Sequence, residues 1–439
     1  MCTCHSEVFA KRRSMFLKAV RELDERTVCV LPAAPVFTRN NDVEHEYRQD
    51  SDLFYLTGFA EPGSVLVLDA HTGKSTMFVR PRDADREIWD GPRFGLDGVR
   101  EHFGADEAFK IDQLAEELPK LLQDRTRLYY RLGLSRTMDD TVLAALDRAR
   151  ARAKLGHTWP TEIVDPGTVL HEMRLFKGDD ELTAMRRAAA ITAEAHQRAM
   201  AITKPGLHEY EVEAAILDVF RRRGSERPAY GSIVGSGPNA TILHYRQNDR
   251  KMENDELLLI DAGCEYGYYA SDVTRTFPIG GKFTREQQAV YEIVLAAQEA
   301  GIAKTVVGSS LKDIHDTCVR VITEGLCKLG LLEGTVEEAI EKEAYKPFYM
   351  HKTSHWLGMD VHDVGTYFTD GKPRPLAEGM VLTVEPGIYI GRAEERVGAE
   401  WRGIGVRIED DILVTKAGPD NLTAAIPKTV ADVLAAYAS

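Results

Sequence analysis

Hydrophobic and polar positions change period several times along the first part of the chain. Residues 10–23 repeat at helical spacing, and 27–31 form a short apolar run suited to a buried strand. Runs 64–68 and 75–79, joined through His71-Thr72-Gly73, predict two strands of a hairpin. Helical spacing returns over 111–118 and 141–154, and the pattern breaks at Asp165-Pro166-Gly167. These runs predict an N-terminal mixed α/β domain over 1–172, followed by a second domain over 173–439.

The second domain opens with a long helical pattern. Asp179 or Asp180 is the expected cap, Glu181 falls in the first turn, and Lys204-Pro205-Gly206 stops the helix. A second helix is expected over 209–223, ended by Gly224, and then strand material over 230–277. Two further helices, 284–304 and 311–329, precede strand material reaching Thr415. Two helices followed by strands thus occur twice. Gly206-Leu207-His208-Glu209-Tyr210 and Ser310-Leu311-Lys312-Asp313-Ile314 open the second helix of each set with similar chemistry. The expectation is an internal duplication.

Both strand regions carry the same acid-x-Gly pattern after an apolar run, in Leu259-Ile260-Asp261-Ala262-Gly263 and Thr383-Val384-Glu385-Pro386-Gly387. Each is followed by a strand bearing another acid, Asp272 in the first half and Glu409 in the second. A two-residue turn at Tyr266-Gly267 would pair Asp261 directly with Asp272 on one face. Four carboxylates on apolar strands are costly to bury as bare anions, and two divalent cations would balance them. Carboxylate-rich sites suit manganese, cobalt or zinc.

Histidines extend this set. His351, His355 and His362 crowd one short stretch, although Lys352 stands where a His-Glu-x-x-His zinc motif needs its acid. His244 follows Gly235-Ser236-Gly237-Pro238-Asn239, which lacks the ending of a phosphate loop and is expected to bring backbone close to a substrate.

Composition adds bounds. At 439 residues, with 44% hydrophobic and 28% charged residues, the chain reads as a globular protein of two domains. The net charge of −14 disfavours a nucleic-acid partner. No segment has the length of a membrane span, and residues 1–15 lack the apolar core of a signal peptide. The six cysteines are scattered, and Cys2-Thr3-Cys4 is too tightly spaced for a usual zinc pair. Reduced thiols and a cytoplasmic location are expected.

Taken together, Asp261-Ala262-Gly263, Ser271-Asp272-Val273-Thr274-Arg275, Ser354-His355-Trp356-Leu357-Gly358, Val384-Glu385-Pro386-Gly387 and Gly405-Val406-Arg407-Ile408-Glu409-Asp410 resemble the pita-bread metallopeptidases, and within them the Xaa-Pro aminopeptidases. The N-terminal segments Tyr47-Arg48-Gln49-Asp50-Ser51-Asp52 and Glu87-Ile88-Trp89-Asp90-Gly91 resemble the same family.

The resemblance implies a pita-bread catalytic domain holding two divalent ions, usually manganese. Asp272 and Glu409 would bridge the ions, with Asp261 on one and His355 and Glu385 on the other. It further implies Glu385 as proton shuttle and His244 and His362 as stabilisers of the tetrahedral intermediate and leaving nitrogen. His351, Tyr389, Arg407 and Trp89 would form the pocket for proline, with Arg407 also open to pairing with Glu409. The substrate would be a peptide with proline second, and the protein a homodimer or homotetramer in which Trp89 reaches a neighbouring subunit. A prolidase, restricted to Xaa-Pro dipeptides, and a non-catalytic binding protein of the same fold are the alternatives.

Overall fold

In a computed structural model the chain divides into two compact units, Met1–Met173 and Arg174–Ser439. The structure describes residues 3–437, with side chains of the first helix described from Glu7 onward. Cys2 and the Cys4 side chain therefore lie outside the described residues. Cys29, Cys264, Cys318 and Cys327 are free thiols.

The first unit is built on a six-stranded mixed sheet. Thr27–Pro32 lies near its centre, antiparallel to Val65–Asp69 and parallel to Arg127–Tyr129. Ser75–Val79 completes the expected hairpin, with Val65 opposite Phe78. Glu107–Lys110 and Glu162–Val164 form the edges. These edge strands and Arg127–Tyr129 are only three or four residues long, too short to display a period. The helix expected over 111–118 begins instead at Leu114, because Ile111–Gln113 is a 3-10 turn.

In the second unit, Asp179–Ile202 pairs with Glu209–Arg222, and Arg285–Lys304 with Leu311–Lys328. The cap of the first helix is Gly178, not Asp179 or Asp180. Glu181 Oε2 accepts the Gly178 N–H at 3.0 Å, so all three acids fall inside the first turn, where they complement the helix dipole. Thr284 and Ser310 cap the second pair through their hydroxyls.

Both helix pairs and the strands share one core, in which Ile191, Ile216, Val290 and Ile322 meet Leu258, Ile260, Ile388 and Val406. Because strand side chains alternate, burying Leu258 and Ile260 against the helices turns Leu259 and Asp261 to the opposite face. By the same parity Ile388 and Val406 face the helices, while Tyr389 and Arg407 join the other face. Leu259 and Tyr389 pack together there with Ile233 and Tyr245. The duplicated plan is therefore visible as two matching hairpins that aim their acids away from the helices.

The first hairpin has a different register from the one expected. Its turn is Gly267-Tyr268, both with positive φ, of +59° and +69°. That is the geometry of a type I′ turn, which matches the twist of the flanking strands. Tyr266 pairs with Tyr269, and Asp261 pairs with Thr274 rather than Asp272. Asp272 stands two residues back, in the break between Tyr269–Ala270 and Thr274–Pro278. A two-residue offset keeps the side chain on the same face, so the two acids are diagonal neighbours.

In the second hairpin Val384 pairs with Asp410 and Gly387 with Arg407, a register that sets Glu385 opposite Glu409. Glu409 also sits in a break between strands, not within one. The glycine of each acid-x-Gly pattern has a steric reason. A Cβ on Gly263 would collide with the Ser271 carbonyl, and one on Gly387 would meet the Tyr389 hydroxyl.

Candidate metal centre and active site

The inward faces of the two hairpins bound a cavity of about 290 Å³. Asp261, Asp272, Glu385 and Glu409 line it, together with His355 and Arg407. His244, His351 and His362 complete the histidine side of the wall. His355 Nε2 lies 3.4 Å from Asp272 Oδ2 and 3.7 Å from Glu385 Oε1. One donor atom each of Asp272, His355 and Glu409 fall within 4.8 Å of one another.

The electrostatics are those of a site built around positive charge. Burial pushes Asp261 above the usual carboxylate range against the pull of Arg407. Burial likewise raises Glu385 to about 7, although His355 and Arg407 oppose it, and drives Glu409 well up with help from Asp272, Glu385 and Asp261. For His355, burial disfavours the imidazolium, but the hydrogen bond to Asp272 and the charge of Glu385 win and lift it to about 9. Burial and mutual repulsion thus disfavour the bare anions of this cluster unless positive charge balances them.

The donor set fits divalent ions. It offers four carboxylates and one imidazole, and His355 Nδ1 is already engaged with the Trp356 carbonyl at 3.0 Å, which leaves Nε2 facing the acids.

Other side chains fix these donors. Arg407 Nη2 donates to Asp261 Oδ2 at 2.6 Å, its Nη1 to Tyr389 Oη at 2.9 Å, and its Nε to Thr274 Oγ1 at 3.0 Å. Thr274 in turn donates to Glu409 Oε2 at 2.6 Å. The direct acidic partner of Arg407 is therefore Asp261, and Glu409 is reached only through Thr274. Tyr389 is 2% exposed and stands behind His351, with Oη 2.9 Å from His351 Nε2, so it supports the wall and is absent from the lining. Burial and the nearby Arg407 push His351 down to about 3, so it is neutral.

His362 stacks edge-on to His355 with ring centroids 4.3 Å apart, and burial and His355 lower its pKa. His244 lies on an exposed stretch of the wall. Its upstream glycines do not approach this cavity. A Cβ on Gly235 would meet the Asn239 backbone, because the chain coils at once into the 3-10 turn Gly237–Thr241. Trp89 belongs to the first unit, 83% exposed on the helix Ala84–Asp90 beside Ile88 at 81%.

Sequence reading missed Tyr230. Its hydroxyl lies 2.6 Å from Asp261 Oδ1 and 2.5 Å from Asp272 Oδ1, tying the two diagonal acids together. A single tyrosine ahead of a glycine carries no pattern that would mark it. It also missed Asp411, whose carboxylate accepts the Asp272 backbone N–H at 3.2 Å.

Comparison with known proteins agrees with this geometry. The profile of metallopeptidase family M24 matches residues 183–416, and that of the aminopeptidase P N-terminal domain matches 9–129. The chain is 45% identical to the Xaa-Pro aminopeptidase of Escherichia coli, over 96% of this chain and 95% of that protein. It is 43% identical to the Xaa-Pro aminopeptidase of Haemophilus influenzae, over 99% and 97%. Among solved structures, Pseudomonas aeruginosa aminopeptidase PepP superposes with a TM-score of 0.96 at 48% identity, over 99% of this chain and 98% of that one. Zinc-substituted E. coli aminopeptidase P in complex with product superposes with a TM-score of 0.95 at 43% identity, over 99% and 98%.

Proposed function

The chain belongs to metallopeptidase family M24 and is an Xaa-Pro aminopeptidase, and on that premise we propose how its own residues divide the work. Asp261, Asp272, His355, Glu385 and Glu409 would hold two divalent ions, with manganese the ion that suits this carboxylate-rich set, and Asp272 and Glu409 would serve both ions. The observation that carries this reading is the buried acid cluster, in which, among the described residues, Arg407 is the only guanidinium bonded to a side-chain carboxylate of the cavity wall. When bound, the paired ions supply an activated water and positive charge for the oxyanion.

The remaining steps fall to side chains. Glu385, poised near neutrality by burial, takes a proton from the attacking water and delivers it to the proline nitrogen as the scissile bond breaks. His362 and His244 donate to the carbonyl oxygen and steady the leaving nitrogen as charge develops. The imide nitrogen before proline carries no N–H to recognise, so selectivity rests on shape. Neutral His351, held by Tyr389, and Arg407 behind it form the pocket for the ring. Trp89 closes that pocket from a neighbouring copy in a homodimer or homotetramer, for which the exposure of Ile88 and Trp89 is the support.

No helix among the described residues is long and apolar enough to cross a membrane, and we place the enzyme in the cytoplasm. Turnover of an Xaa-Pro-Yaa tripeptide against the Xaa-Pro dipeptide in manganese tests the substrate assignment. The tripeptide is expected to be preferred, and a strong dipeptide preference would make the protein a prolidase.

A further inference from the structure

His362 lines the metal cavity from an exposed position, and its ring meets only the edge-on contact with His355. Among the described residues its ring makes no hydrogen bond. Its place is therefore set by its backbone, and the backbone is fixed one residue further on. The Asp363 N–H donates to the Trp356 carbonyl at 2.9 Å, which closes the loop 356–363. His355 stands just before that loop and His362 just before its last residue, so the closure brings the two rings together.

The Asp363 side chain is buried and absent from the cavity lining. Lys177 Nζ donates to its Oδ2 at 3.0 Å and Arg174 Nη2 to its Oδ1 at 2.6 Å, and Arg174 Nη2 also reaches Asp360 Oδ2 at 2.8 Å. Lys177 and Arg174 are buried as well, and they hold Asp363 below the usual carboxylate range although burial opposes them. Lys177 is anchored in turn, its N–H donating to the Gly379 carbonyl at 2.8 Å. Two cations and two carboxylates balance in charge. Such a cluster is a poor source of stability, because apolar side chains of similar volume often hold a core as well. What it supplies is direction. Gly358 shows how closely it is fitted to the loop, since a Cβ there would lie 2.0 Å from Asp363 Oδ2 and 2.9 Å from Lys177 Cε. The Gly358 carbonyl accepts the Ala270 N–H at 2.8 Å, two residues before Asp272. The loop is thus tied at one point to the charged cluster and at another to the strand that leads to a metal-site acid.

We propose that Lys177, Arg174 and Asp363 are positioning residues for the reaction, holding the loop 356–363 so that His362 stands beside the peptide bond being cut. The inference rests on the role given to His362 above. None of the three lines the cavity, so each acts through the loop and not on the substrate. Without the cluster the exposed imidazole drifts, and a misplacement of about 1 Å costs up to about 100-fold in rate. The loss falls on the step that His362 assists, so it appears in kcat while KM stays near its usual value.

The test is a double-mutant cycle on the manganese-loaded protein with an Xaa-Pro-Yaa tripeptide, each variant assayed well below its Tm. Lys177→Met keeps much of the side chain's length, leaves Asp363 on Arg174, and is expected to lower kcat about tenfold with KM within about twofold. Combining Lys177→Met with Asp363→Asn removes one charge of each sign and leaves Arg174 on Asp360. That balanced pair is expected to show the same kcat loss, and it carries the test if the single variant folds poorly. His362→Ala is expected to lower kcat about 100-fold, and adding Lys177→Met to it to cost nothing further, because both act through one imidazole. A merely structural cluster would lower Tm and leave kcat of the folded, metal-loaded protein unmoved, or would add its loss to that of His362→Ala. Either result overturns the proposal. Normal kcat in His362→Ala would instead overturn the role of His362 itself, and the positioning of it with that role.

Discussion

Arg407 grips Asp261 through a 2.6 Å contact between Nη2 and Oδ2, with the guanidinium 3% exposed and bonded on its other nitrogens to Tyr389 and Thr274. One side chain thus ties an acid of the first hairpin to an arginine of the second. Its planar fork reaches three partners, a geometry that lysine cannot copy. Arg407→Lys is expected to weaken metal affinity about 10- to 100-fold, the scale for groups that orient ligands. Metal content by mass spectrometry after dialysis, read with kcat/KM, checks this. Unchanged metal retention would confine Arg407 to substrate.

Tyr230 poses a proton-counting problem. Its hydroxyl has one proton, yet it lies within hydrogen-bond distance of both Asp261 and Asp272. Its single proton is shared between two buried carboxylates, a crowding in keeping with the raised pKa of Asp261, which burial drives. Tyr230→Phe is expected to free both carboxylates to splay and to lower kcat/KM about tenfold through weaker ion binding. An excess of manganese should recover most of that loss. A defect that manganese leaves untouched would place Tyr230 in substrate contact instead.

The metal-free protein should lose stability as the solution becomes alkaline. Glu385 is raised to about 7 from 4.5 and His355 to about 9 from 6.5, so both hold more protons folded than unfolded above their ordinary values. Stability then falls as pH rises, for Glu385 between 4.5 and 7 and for His355 between 6.5 and 9. His196 and His315, lowered by burial to about 4, and His351, lowered to about 3, work in the opposite direction below pH 6.5. The net decline is therefore cleanest from pH 6.5 to 9, where it amounts to about 3 kcal/mol from His355 alone. Urea unfolding of chelated protein across that range measures it, and a flat profile would mean the acids do not crowd His355 as described.

Gly263 supplies a purely steric prediction. A methyl group there meets the Ser271 carbonyl, one residue before Asp272. Gly263→Ala is expected to destabilise the protein by about 3 kcal/mol and to reduce metal binding with it. Gly391→Ala, where the added atom meets nothing within 4 Å, serves as the control and should stay within about 0.5 kcal/mol. Equal effects at the two positions would refute the packing described for the first hairpin.

The long elements were legible because helices such as Asp179–Ile202 and Arg285–Lys304 run through several turns of apolar spacing. The duplicated acid-x-Gly pattern was legible too, since it combines a buried strand with a close backbone approach at Gly263. Register was not. Tyr266-Gly267 and Gly267-Tyr268 are both possible two-residue turns, and only the structure shows Tyr268 accepting a positive φ. The parity of the strand survived that error, which is why Asp261 and Asp272 still share a face. Tyr230, Thr274 and Asp411 escaped notice because each acts through hydrogen bonds made in space, which no spacing along the chain encodes.

The most direct measurement is a manganese titration of the chelated protein, with bound metal and turnover of an Xaa-Pro-Yaa tripeptide followed together. Turnover should be absent without metal and reach its maximum as two ions bind per chain, and His355→Ala should lose the ion that Glu385 shares. Full turnover in excess chelator, or full turnover with one ion bound, would contradict a two-ion site formed by Asp261, Asp272, His355, Glu385 and Glu409.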